Sequence, residues 1–135
     1  MQSVDRRPQD GRTVLLVDAD ERARELTFLS GLLDSFGVSD LNSLVDVDRA
    51  LHQWDMVDGS RLEFVPAGSG VVGNTATFFR SEGFRAALNA LLDGTAIVIV
   101  DAPPIMAAAE TTNIGAAVDG IVLVVIDGTR LRGLE

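Results

Sequence analysis

The chain has 135 residues, of which 47% are hydrophobic, and a net charge of −9, with a pI near 4.4. That is enough apolar material for one globular core. The acidity argues against nucleic acid or an anionic membrane as the main partner, because both are recognised through basic patches. With no cysteine and one histidine, a disulfide framework, a thiolate metal site and a histidine cluster are excluded.

The polar segment 1–12 is no signal peptide, and no apolar stretch reaches the roughly 18 residues that span a bilayer. The sequence therefore predicts a cytoplasmic domain over 13–135, with any membrane anchor supplied by another segment or protein. Residues 13–18 form a continuous Val- and Leu-rich run ending at Asp18, the pattern of a strand covered on both faces. Asp20 is placed to cap a helix in which Leu26, Leu29, Leu32, Leu33 and Phe36 recur at helical spacing, with Gly37 as its stop.

The stretch 38–61 is more polar, with a weak helical pattern from Val45 to Trp54 and a turn at Asp58 and Gly59. Leu62 to Pro66 reads as a short strand entering a glycine-rich loop. A helix follows, with Phe84, Leu88, Leu91 and Leu92 on one face and Gly94 at its end. Ile97 to Val100 is a third strand, Met106 to Val118 an Ala-rich helix, and Ile121 to Ile126 a fourth buried strand. This alternation predicts an α/β fold, a doubly wound and mostly parallel sheet with flanking helices.

Three places in the chain can carry chemistry. Asp18, Asp20 and Arg22 follow the first strand, in the crevice where open α/β sheets bind ligands; carboxylates there hold a metal or position a water. The competing reading is structural, with Asp20 a helix cap and Asp18 a strand terminator. Asp101, after four β-branched residues and before Pro103 and Pro104, fits a Walker B carboxylate that holds the magnesium of a bound nucleotide. The run from Gly68 to Thr75 matches both dinucleotide and phosphate-loop glycine patterns, but Asn74 stands where a phosphate loop has lysine. All eleven basic residues are arginine, so an ordinary loop is the better reading there. His52 and the trio Trp54, Met56 and Val57 carry no chemical signal beyond packing or a partner surface.

Together these segments resemble the bacterial tyrosine kinases (BY-kinases), the ATPase domains of capsular and exopolysaccharide chain-length regulators, within the P-loop MinD/ParA-like superfamily. Thr13 to Arg22 is similar to their Walker A′ motif, with Asp18, Asp20 and Arg22 matching its D-x-D-x-R pattern. Leu62 to Gly68 resembles the strand that ends in P-A-G, with Asn74 fitting the N-P pair after it. Phe79 to Leu88 resembles the next helix, Ile97 to Pro104 the Walker B strand, and Val118 to Val125 the strand beyond.

The resemblance implies Mg2+ and ATP or ADP as cofactors. It gives Asp18 and Asp20 catalytic roles, Arg22 a place at the nucleotide, and Asp18 and Asp101 the metal. It also implies work beside a membrane-embedded chain-length or activator protein, or a related kinase, as a possible homo-oligomer at the inner face of the membrane, with no nucleic acid and no membrane span of its own.

Two departures bear on activity. The family carries a strand, a lysine-containing phosphate loop and a helix before Walker A′, where this chain has residues 1–12. It also phosphorylates its own tyrosines, and this chain has none. Phosphoryl transfer requires a phosphate clamp as well as metal carboxylates, so the expectation is a truncated or degenerate kinase-like domain, a pseudoenzyme that does not bind ATP alone. The alternatives are a MinD/ParA-type ATPase fragment, a noncatalytic adaptor, and, less compatible with the Asp20 to Asp101 spacing, a response-regulator receiver.

Overall fold

A computed structural model describes residues 13–41, 47–69, 86, 89, 97–106 and 110–125. Segment 1–12, the glycine loop beyond Ser69, Ile126 and all but two positions of the helix expected to end at Gly94 lie outside the described residues; those two, 86 and 89, are helical. The strands are β1 (Thr13–Asp18), β2 (His52–Asp55), β3 (Arg61–Val65) and β4 (Ile97–Asp101). The helices are α1 (Glu25–Leu29), α2 (Val47–Ala50) and α3 (Glu110–Gly115), with a 3-10 turn at Val38–Asp40.

The sheet has the order β2-β3-β1-β4. β1 runs parallel to both neighbours, with Leu15 opposite Glu63 on one side and Val98 on the other. β2 is antiparallel to β3, so the expected parallel α/β sheet forms with one antiparallel edge strand. Alternate residues of each strand share a face. Leu15, Val17, Val65, Val98 and Val100 thereby meet Val38, Leu41, Ala50 and Ile114 in the core. Arg49 lies over the Phe36 ring, 4.2 Å from its centroid.

Four sequence expectations are corrected. The helix expected to reach Phe36 stops at Leu29, and Gly31, at φ 75°, turns the chain away. Leu29 is 73% exposed, so the Leu pattern does not line one buried stripe. Asp20 does not cap α1: its Oδ1 accepts the N–H groups of Arg22 and Ala23. Arg24, left-handed at φ 51°, then separates that turn from the helix.

The helical pattern expected from Val45 to Trp54 holds over α2, Val47–Ala50, but its end is instead β2. The Asp58-Gly59 turn, with Gly59 at φ 81°, folds it back on β3, pairing Trp54 with Leu62. Asp58 accepts hydrogen bonds from the Ser60 hydroxyl and N–H, which hold its carboxyl below the usual range. The run Ile121–Val125 is neither strand nor buried: all five side chains are exposed, Val122 at 91%. The Ala-rich helix is described only as α3, from Glu110. Among the described residues, no helix is long and apolar enough to cross a membrane.

Candidate functional site

Parallel pairing brings the two Asp-terminated runs to one level, because Asp18 and Asp101 are register partners at the carboxyl ends of β1 and β4. The ladder continues one step further, with Ala19 N–H donating to the Asp101 carbonyl at 2.8 Å. The two carboxylates share an address but not an environment.

Asp18 is fully buried. Its Oδ2 accepts the Thr27 N–H at 2.9 Å and the Thr27 hydroxyl at 2.6 Å, and its Oδ1 accepts the Asp20 N–H at 3.2 Å. The Thr27 oxygen in turn accepts Ala67 N–H at 2.8 Å. Thus one threonine links the end of β1, helix α1 and the Pro66-Ala67-Gly68 exit of β3. A carboxylate has about four acceptor positions, and three on Asp18 are occupied, so Asp18 offers a cation little more than one lone pair.

Asp101 is exposed, and its carboxyl is raised above the ordinary 3.8, first by partial burial and then by the like charges of Asp18, Asp20 and Glu25. Four carboxylates therefore converge on this end of the sheet, and Asp101 faces solvent. Because the folded state holds the Asp101 proton more tightly than the unfolded chain, the contribution of this group to stability falls as pH rises from 3.8 through its shifted value. Solvent screening moderates the effect. Melting curves of the wild type and Asp101→Asn across that window should diverge, the wild type losing ground to the variant as pH rises. Parallel curves would mean that the charge crowding has no energetic weight.

Arg22 is exposed in the turn whose N–H groups Asp20 binds. Among the described residues, no three His, Cys, Asp or Glu side chains form a group that could hold a metal ion. The donor set fits a magnesium in part: Asp101, with Asp20 beside it, can take an ion that keeps most of its waters, the usual manner of Mg2+ in nucleotide sites. No lysine exists to clamp a phosphate.

Beside the carboxylates, two backbone segments are joined. Val38 N–H donates to the Pro66 carbonyl and Ser39 N–H to the Ala67 carbonyl, and Asp40 Oδ2 accepts the N–H groups of Gly37 and Ser69. Sequence inspection did not single out Thr27 or Asp40, and it read Gly37 only as a helix stop. A threonine inside an otherwise leucine-rich run was the available signal for Thr27, since a buried hydroxyl there must find partners.

No family model matches the sequence, and no curated protein does. Among solved structures, the chain is similar to the kinase domain of Escherichia coli tyrosine kinase ETK, at a TM-score of 0.64 and 23% identity. The match covers 79% of this chain and 41% of that one. The likeness shows the fold: the α/β architecture expected from the sequence is that of the ETK kinase domain, and this chain spans about two-fifths of its length.

Proposed function

We propose that this chain is a BY-kinase-like domain acting in capsule or exopolysaccharide biosynthesis or its regulation, and that alone it does not bind ATP. The observation that carries the reading is the parallel register of Asp18 with Asp101 on an ETK-like fold, with no lysine in the chain. In this reading Asp101 and Asp20 hold a hydrated Mg2+. Asp18 anchors Thr27 and would add at most a minor contact to the ion, and Arg22 lies in the turn after β1, where a nucleotide would approach. The ion would supply charge neutralisation for phosphate oxygens. These residues would orient it, and without lysine the chain lacks the cation of a phosphate clamp, so catalysis, which in phosphoryl transfer is mainly positioning and charge stabilisation, is not expected of the isolated chain. Its place is cytoplasmic, beside a membrane-embedded activator or a related kinase.

Calorimetric titration of the 135-residue chain with Mg·ATP and Mg·ADP tests this directly. The expected result is no micromolar binding; a micromolar Kd would overturn the proposed incompetence. Magnesium alone, at tenfold its Kd, should stabilise the wild type by about 1.4 kcal/mol and leave Asp101→Asn unmoved. Equal stabilisation of both would remove Asp101 from the metal site.

A further inference from the structure

An Asp-Gly pair rearranges readily, because glycine has no side chain to keep its amide nitrogen away from the preceding carboxyl carbon. Glycine follows Asp10, Asp58, Asp93, Asp119 and Asp127, and of these pairs Asp58-Gly59 and Asp119-Gly120 lie within the described residues. Each is preceded by valine and each is exposed, so composition and accessibility are matched. What separates them is bonding.

In the first pair both reacting groups are engaged. Asp58 Oδ1 accepts the Ser60 N–H at 3.0 Å and the Ser60 hydroxyl at 2.6 Å, which turns the carboxylate onto residue 60. Gly59 N–H donates to the Met56 carbonyl at 3.0 Å, and Met56 N–H to the Ser60 carbonyl at 2.9 Å, closing the loop. The charged neighbours in this hairpin, Asp55 and Arg61, are bound to each other at 3.1 Å. The reactive carboxyl is the protonated one, since its hydroxyl must leave as water. The Ser60 bonds, which hold the Asp58 carboxyl below the usual range, favour the unreactive anion.

The second pair has no such turn. Val118 packs against the core cluster, and past it Asp119 and Gly120 run exposed and irregular beyond α3. Among the described residues no hydrogen bond holds the Asp119 carboxylate or the Gly120 N–H. A Cβ on Gly120 would meet nothing within 4 Å, so the backbone there is not enclosed.

The structure assigns Asp119-Gly120 as an isoaspartate-forming modification site, and Ser60 as the brake that keeps Asp58-Gly59, the same dipeptide, from the same reaction. The Gly120 nitrogen attacks Asp119 Cγ, and a succinimide closes as the carboxyl hydroxyl and the amide proton leave together as water. Water then adds to a ring carbonyl. Opening at the former main-chain carbonyl breaks its bond to nitrogen and routes the chain through Cβ; opening at the other carbonyl restores aspartate. Water is lost and regained, so the product is an isomer and needs no oxidant or cofactor. It lengthens the backbone by one methylene between the packed Val118 and the exposed run Ile121–Val125. Neither metal nor nucleotide enters, so the inference stands apart from the proposed function.

The test ages the full chain at mildly acidic pH, once folded and once in concentrated urea. Isoaspartate is labelled with an L-isoaspartyl O-methyltransferase and a tritiated methyl donor. It is mapped with a protease that cleaves before aspartate and not before isoaspartate. In urea the two pairs should label alike. In the folded chain label should accumulate at Asp119 at least about tenfold faster than at Asp58, the effect of losing hydrogen bonds to a charged group. Ser60→Ala should speed labelling at Asp58 several-fold and leave Asp119 unchanged. Gly120→Ala, whose methyl group meets open space, should slow Asp119 several-fold without moving the melting curve. Equal labelling of the two pairs in the folded chain, faster labelling at Asp58, or none at Asp119 would overturn the assignment. A rate at Asp58 indifferent to Ser60→Ala would overturn the brake.

Discussion

Gly37→Ala should destabilise the domain by about 3 kcal/mol or more, above the usual range for overpacking. The cause is contact, not backbone freedom, because Gly37 sits at φ −156° in ordinary extended conformation. A Cβ there would collide with the Pro66 carbonyl oxygen and the Gly68 nitrogen, and come within 2.7 Å of Gly68 Cα. All three are backbone atoms in the joined segments 37–40 and 66–69, so no side chain can rotate aside. Relief requires parting the loops and losing the bonds from Val38 and Ser39 to the β3 exit. Gly59→Ala is the contrasting control. Gly59 has φ 81° and nothing within 4 Å, so its cost is the left-handed strain alone, about 1 to 2 kcal/mol. Urea unfolding followed by Trp54 fluorescence separates the two. A Gly37→Ala loss no larger than that of Gly59→Ala would show that the loops are loosely joined.

Thr27→Val, a change of shape-neutral volume, should cost about 3 kcal/mol. Losing the hydroxyl removes one of two donors to Asp18 Oδ2 and leaves Ala67 N–H without its acceptor. An orphaned buried donor costs about 1 to 3 kcal/mol, and a hydrogen bond to a charged group contributes about 1.5 to 3 kcal/mol. Thr27→Ser keeps both bonds and deletes one buried methyl, at about 1 kcal/mol. A valine variant as stable as the serine variant would dismiss the clasp. If the clasp holds, it also changes how Asp18 variants are interpreted, because Asp18→Asn places an amide against a backbone donor and weakens the fold before it touches any ligand.

The strands were legible where the chain repeats β-branched or leucine residues without interruption: β1, β3 and β4 appear within a residue of their expected limits, and Asp18 and Asp101 fall side by side as their positions imply. β2 was hidden because His52, Gln53 and Asp55 are polar, and its strand character comes from pairing with β3 and from Trp54 lying 6.1 Å from the Phe64 ring. Ile121–Val125 misled in the opposite direction. Five apolar residues carry strand propensity, but a strand exists only with a neighbour to pair with, and none is present among the described residues. The end of α1 depended on Gly31 adopting a positive φ, which periodicity alone does not reveal. The convergence of Asp18, Asp20 and Asp101 could be anticipated. The engagement of Asp18 by Thr27 could not, since it depends on how the eight residues between them turn the chain back on itself.

The central position of β1 has a consequence for how the molecule is made. Val14 pairs with Leu62 and with Ile97, so β1 leaves the ribosome ahead of partners 48 and then 83 positions behind it. Loop closure over such distances is slow, and the contacts that reward it are all non-local. During synthesis β1 is an unpaired hydrophobic ribbon, the kind of segment that recruits chaperones or aggregates. The yield of folded chain should therefore depend on events after β4 emerges, and a nascent chain halted before Ile97 has only one flank of its central strand covered.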